Sequence, residues 1–68
     1  MDGKPKPDPF HLTIQFRRSD SRYQVISGDG IILKVGISED VCRSWASAYL
    51  YSRGKLNYSK TLTTTVVD

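Results

Sequence analysis

The stretch from Arg22 to Arg53 constrains the fold of this chain more than any other part of the sequence. It reads RYQVISGDGIILKVGISEDVCRSWASAYLYSR. Two runs rich in β-branched residues flank Gly28, Asp29 and Gly30, a strong signal for a tight turn between antiparallel strands. The second run leads directly into apolar residues at helical spacing. The stretch therefore predicts a β-hairpin followed by an amphipathic helix.

The first hairpin of the sheet is predicted from alternation upstream of this stretch. Residues 10–18 alternate between apolar and polar side chains, which is typical of a half-buried strand. A four-residue loop from Arg18 to Ser21 would pair Phe16 with Tyr23. The same register would place Arg17 directly opposite Arg22 on the other face.

The second hairpin has two candidate registers, which differ by one residue. A two-residue loop would place Val25 opposite Lys34, an apolar residue against a charge. A three-residue loop ending at Gly30 would place Val25 opposite Leu33 and Gln24 opposite Lys34. Only the second keeps apolar residues together, and it puts Gly30 where a left-handed residue is favoured. We therefore expect the three-residue loop.

These registers predict a three-stranded antiparallel meander with two distinct faces. The predicted inner face consists of Leu12, Ile14, Phe16, Tyr23, Val25, Ile31, Leu33 and Val35. The predicted outer face consists of His11, Thr13, Gln15, Arg17, Arg22, Gln24, Ile26, Ile32 and Lys34.

The helix is expected to begin after Ser38, a favourable N-cap, and to end before Gly54. Its predicted apolar face consists of Val41, Cys42, Trp45, Ala46, Ala48 and Tyr49. That face would cover the inner face of the sheet. Tyr51 would lie on the opposite, exposed side of the helix.

The fold class that follows is α+β, with three antiparallel strands and one helix packed on one face. Residues 10–54 form this core. Residues 1–9, which carry prolines at positions 5, 7 and 9, are expected to be a flexible lead. Residues 55–68 would be a fourth strand or an extended arm. A free sheet edge or this arm would also allow a homodimer.

Composition narrows the classes of function. The chain has 68 residues with a single cysteine and a single histidine, so a disulfide within the chain and a zinc site of the usual ligands are excluded. Cys42 is predicted in the core and His11 on the outer face, too far apart to act together. We therefore expect no enzyme, no cofactor and no metal. The sequence has neither a membrane-spanning run nor a signal peptide, which favours the cytoplasm.

The outer face of the sheet is the predicted binding surface. Arg17 and Arg22 would face each other beside Arg18 in the turn, an arrangement that an anion between them would favour. The predicted binding residues are Arg17, Arg18, Arg22, Gln15, Gln24, Lys34 and, on the helix, Tyr51. The net charge of +3 permits an acidic protein or a nucleic acid as partner. We expect an inhibitor or adaptor that binds another protein.

Duplex DNA is the alternative partner. The segment VGISEDVCRSWASAY resembles the junction between third strand and helix in AP2-type domains and integrase arm-binding domains. The resemblance covers about 30 residues and is one of pattern. It implies a sheet lying in the major groove, where arginines would contact phosphates and base edges. Those families usually carry more basic residues on the sheet, and Ile26 and Ile32 do not fit this pattern.

Overall fold

The computed structural model describes residues 8–68. The flexible lead predicted for residues 1–9 therefore lies largely outside the described residues. The elements, in chain order, are β1 (Thr13–Arg17), β2 (Arg22–Ile26), β3 (Ile32–Gly36), α1 (Glu39–Ser52), a short 3-10 helix (Leu56–Thr61) and β4 (Thr63–Val67).

The four strands form one mixed sheet in the order β3-β2-β1-β4. The first three strands are an antiparallel meander, and β4 joins the free side of β1 in parallel. The predicted α+β fold and its fourth C-terminal strand are thus confirmed. Since β3 and β4 run in the same direction at opposite edges, α1 carries the chain across the sheet between them.

The first strand is shorter than predicted because the chain turns before it. The backbone N–H of Phe10 donates to the Asp8 carboxylate at 2.9 Å, and that of His11 donates to the Asp8 carbonyl at 3.1 Å. These bonds form a turn. His11 was predicted on the outer face of the sheet, but it lies in this turn, before β1 begins. The register with β2 is as predicted, with Phe16 opposite Tyr23.

The predicted register of the second hairpin is right at the turn and wrong beyond it. The N–H of Ser27 donates to the carbonyl of Ile31 at 2.9 Å, and Gly30 has a φ of 89°, as expected for a three-residue loop. Leu33 is then an extra residue, a β-bulge, and Val25 pairs with Lys34. The rest of the strand follows the register of the rejected two-residue loop.

The bulge changes the sides on which two residues lie. Lys34 shares the helix side of the sheet with Val25, whereas Val35 lies opposite Gln24 on the other side. Val35 and Ile31 were predicted on the inner face, yet they are 46% and 57% exposed.

Gly36 explains why this register is preferred. A Cβ added at Gly36 would lie 3.2 Å from the sulfur of Cys42, closer than ordinary contact. Glycine at this position lets the first turn of α1 approach the end of β3. The predicted register would place the branched side chain of Val35 on this side, beneath the start of the helix.

The core is a seam between α1 and the middle of the sheet. Its fully buried residues are Leu12, Ile14 and Val25 on the sheet side and Cys42, Ala46 and Leu50 on the helix. Trp45 and Tyr49 are partly buried against this seam, with their rings stacked 5.0 Å apart.

The helix is rotated relative to the predicted apolar face. Val41 and Ala48 were placed on the buried side, but both are exposed, and Leu50 takes part in the core instead. The buried residues lie four apart along one side of the helix, so a single stripe meets the sheet. Ser38 is the N-cap as predicted, although its side chain makes no capping hydrogen bond.

Side chains at the start of α1 hold β4 in place. The hydroxyl of Thr64 donates to the Glu39 carboxylate at 2.6 Å and accepts from the Arg43 guanidinium at 2.8 Å. Glu39 also accepts from Arg43 at 3.2 Å. The hydrogen bond from Thr64, and then the one from Arg43, lower the pKa of Glu39 below its ordinary value of 4.5.

Replacement of Thr64 should reveal a pH-dependent attachment of β4. We expect Thr64→Val to lower the free energy of unfolding near pH 7, because it removes both hydrogen bonds and keeps the shape of the side chain. A lowered pKa stabilises the fold above the ordinary pKa of 4.5, and this contribution is lost as the pH falls through the native value. The difference between wild type and Thr64→Val, measured by urea denaturation, should therefore shrink as the pH falls below 4.5. A difference independent of pH would contradict this arrangement.

Candidate binding surface

The side of the sheet away from α1 is left uncovered by the other elements of residues 8–68. The helix packs against β1, β2 and β3 from one side, and the 3-10 helix contacts α1 but none of the strands. We call the other side the open face. Strand registers and alternation place on it Thr13, Gln15, Arg17, Arg22, Gln24, Ile26, Ile32, Val35, Thr63, Thr65 and Val67.

Amide and hydroxyl side chains occupy the middle of the open face. Gln24 lies between Gln15 on β1 and Val35 on β3, and Thr65 continues this row on β4. Gln24 is only 7% exposed, so its side chain has little freedom left to lose. The centre of the open face is thus a preorganised patch of hydrogen-bonding groups.

Arginines form one end of the open face. Arg17 and Arg22 are directly opposite each other, as predicted, and Arg18 follows in the exposed turn. Asp20 in the same turn lies 3.9 Å from Arg17, a loose and solvent-exposed contact that stabilises little. Arg22 forms no ion pair with any of residues 8–68. Its guanidinium therefore remains available to an outside anion.

Aliphatic side chains occupy the β3 side of the open face. Ile32 is 53% exposed and Val35 is 46% exposed. Ile37 continues the apolar surface just past the end of β3 and is 84% exposed. The sequence prediction missed Val35 because it assumed an unbroken ladder. Gly36, placed just before the helix, is the signal that could have indicated the shift.

Two of the predicted binding residues lie elsewhere. Lys34 was expected on the outer face, but it lies on the helix side, near enough to Cys42 for its charge to act on the thiol. The bulge at Leu33 is the cause. Tyr51 is 71% exposed as predicted, yet it projects from α1, on the other side of the sheet from the open face. The remaining predicted residues, Gln15, Arg17, Arg18, Arg22 and Gln24, lie on the open face or in its adjoining turn.

A separate pocket lies where the start of the described chain meets the 3-10 helix. It has a volume of about 230 Å³ and is lined by Asp8, His11, Asn57, Tyr58 and Thr61. Interaction with the Asp8 carboxylate raises the pKa of Tyr58. The Phe10 N–H, and then Tyr58, lower the pKa of Asp8. Asp8 thus serves local structure through both contacts.

The described residues are poorly placed for nucleophilic catalysis or for metal binding. Burial raises the pKa of the Cys42 thiol, so it is poorly suited as a nucleophile. Residues 8–68 contain no cluster of three or more histidine, cysteine or acidic side chains placed to hold a metal ion. None of the described helices is long and apolar enough to cross a membrane.

Comparison with protein families, curated proteins and solved structures found no match for this chain in any of the three. Its function has to be argued from its own residues.

The opposed arginines should weaken the fold slightly. Like charges directly opposite in a sheet are destabilising, and opposite charges gain about 0.2–1 kcal/mol. We therefore expect Arg22→Glu to raise the free energy of unfolding at low salt, by up to about 1 kcal/mol. The matched control is Arg18→Glu, the same charge change outside the strand pairs. A lower stability for Arg22→Glu than for Arg18→Glu, in urea denaturation, would show that the arginine pair serves the fold.

Proposed function

We propose that this protein is a small non-enzymatic binding protein that docks on another protein through the open face of its sheet. The observation that carries the proposal is the composition of that face. Arginines at one end, amides in the middle, of which Gln24 is buried and Gln15 half-buried, and exposed aliphatics at the β3 side together resemble a protein interface more than an ordinary solvated sheet face.

The chemistry of the open face supports a protein partner. Arginine is enriched at protein interfaces, where its planar guanidinium pairs with carboxylates and backbone carbonyls. Ile32 and Val35 supply apolar surface that gains free energy when water is removed. Gln15 and Gln24 offer both donors and acceptors in fixed positions, as a partner with mixed polar groups requires.

The size of the open face indicates that neighbouring residues take part. Four strands of five residues give a sheet of roughly 17 by 19 Å. A stable interface buries about 800 Å² on each partner. The turn around Arg18 and the apolar surface beside β3 would have to extend the contact.

Since we propose no reaction for this protein, we expect it to act by binding alone. A domain of 68 residues that carries one binding surface can act by covering a site on its partner, as an inhibitor does. It can also act as an adaptor if a second surface, such as that around Tyr51, holds another molecule. We expect this to take place in the cytoplasm, since the one cysteine is buried and free.

Duplex DNA is the second candidate partner, favoured by the arginines at 17, 18 and 22. They are close together at one end of the face and would suit phosphates. The position of Lys34 on the helix side removes one of the expected phosphate contacts. Ile32 and Val35 occupy surface that a DNA-binding sheet would fill with basic residues. Protein is therefore the better fit.

Affinity capture with matched charge reversals tests the proposal. The baits are the wild-type chain, Arg22→Glu on the open face, and Lys60→Glu on the exposed 3-10 helix. We expect the wild type and Lys60→Glu to retain a stoichiometric protein partner from a lysate of the source cells. Arg22→Glu should lose it, because the reversed charge repels the carboxylate that Arg22 would contact.

Two outcomes would contradict the proposal. Equal capture by all three baits would remove the open face as the binding surface. The same three proteins should also be titrated with mixed-sequence duplex DNA. Binding that is tight at low salt, falls steeply as salt rises and is weakened by Arg22→Glu would favour DNA instead.

A further inference from the structure

We propose that β3 is a docking edge for an extended segment of the partner protein, which adds to the sheet as a fifth strand and places an acidic side chain opposite Lys34. This inference rests on the proposed function, because it assumes a protein partner. It names the part of the surface that the partner pairs with and the chemistry of the segment.

β3 is an edge strand with one side unpaired. It pairs with β2 alone, and no other strand among residues 8–68 lies beside it. Its outward N–H and C=O groups therefore have no ladder partner within the described chain. Such a row of groups is a template for another strand, and main-chain hydrogen bonds to it supply affinity.

The two edges of the sheet differ in chemistry. At the β4 edge the residues exposed on the open face are threonines, Thr63 and Thr65, and the exposed Val66 lies on the helix side. At the β3 edge they are Ile32 and Val35, and Ile37 continues the apolar surface. Single exposed aliphatics are ordinary, but a row along one edge strand is typical of an interaction site. The β3 edge is therefore the one suited to a partner strand.

Lys34 defines the charge of the incoming strand. It lies on the helix side of β3, is half-buried and forms no ion pair with any of residues 8–68. An opposite charge directly across from it on a neighbouring strand would be favourable. The neighbour of that acidic residue that pairs with Val35 would lie on the open face, where Ile32 adds further apolar surface. The segment that fits alternates acidic and apolar side chains.

A second copy of this chain fits the β3 edge less well. A two-fold arrangement that continues the sheet, with both helices on one side, pairs β3 antiparallel to itself. The two Lys34 ammonium groups would then lie directly opposite each other or one pair apart. Like charges at such positions are destabilising, and a lysine on an edge strand is a common means of preventing self-association.

Titration with two synthetic peptides tests this inference. The probes are a short peptide of alternating valine and glutamate, and the same peptide with lysine in place of glutamate. Each is added to the isotope-labelled chain up to millimolar concentration, and amide shifts are followed by NMR. We expect shifts along Ile32–Gly36, with the glutamate peptide binding about threefold or more tightly than the lysine peptide.

Charge reversal at Lys34 should reverse this preference. Lys34→Glu is expected to favour the lysine peptide, while Lys60→Glu should behave as the wild type. If Lys34→Glu fails to give a native spectrum, Lys34→Gln replaces it and should bind both peptides about equally.

Three results would overturn the inference. The first is that neither peptide shifts the amides of β3, whether or not those of β4 shift. The second is an unchanged peptide preference in the Lys34 variants. The third is self-association of the free chain that protects the amides of β3. The two proposals can fail separately. A captured partner that depends on Arg22 but is retained by Lys34→Glu would leave the binding function standing and remove only the docking edge.

Discussion

The packing of one helical stripe on the middle of the sheet is the interaction on which the rest of the structure depends. Cys42, Ala46 and Leu50 are fully buried against the sheet, whose residues Ile14 and Val25 are equally buried on the side facing the helix. A chain of this length buries only enough apolar surface for one core, so its stability depends on this packing. Because the helix covers one side of the sheet, that packing also decides which side chains remain on the open face.

The close approach of α1 to β3 accounts for the irregular edge of the sheet. Gly36 lies beneath Cys42, where even a Cβ would be in tight contact with the sulfur, and the bulge at Leu33 brings it there. The same bulge turns Val35 out to the open face and Lys34 to the helix side. A requirement of the core thus produces an edge strand that is apolar on one side and positively charged on the other.

The sequence predicts the parts of the fold that depend on simple periodicity. The β1–β2 register follows from alternation alone, and the helix ends follow from Ser38 and Gly54. The bulge was missed because the alternation around Leu33 is compatible with an unbroken strand, and only Gly36 before the helix points to it. The rotation of α1 was missed since apolar residues occur on both sides of the wheel, and only contact with the sheet selects Leu50 over Val41. Because of the bulge, the open face was predicted correctly on β1, on β2 and at Ile32, and wrongly at Lys34 and Val35.

The central claim is that a bulge at Leu33 places Val35 on the open face and Lys34 on the helix side. The contacts of these two side chains in solution test it most directly. Nuclear Overhauser effects on the labelled chain would report them. The bulged register predicts contacts between the Val35 methyl groups and the Gln24 side chain, and between Lys34 and Val25. Contacts of Val35 with Cys42, together with Lys34 beside Gln24, would show an unbroken ladder. That result would contradict both the composition of the open face and the charge assigned to the β3 edge.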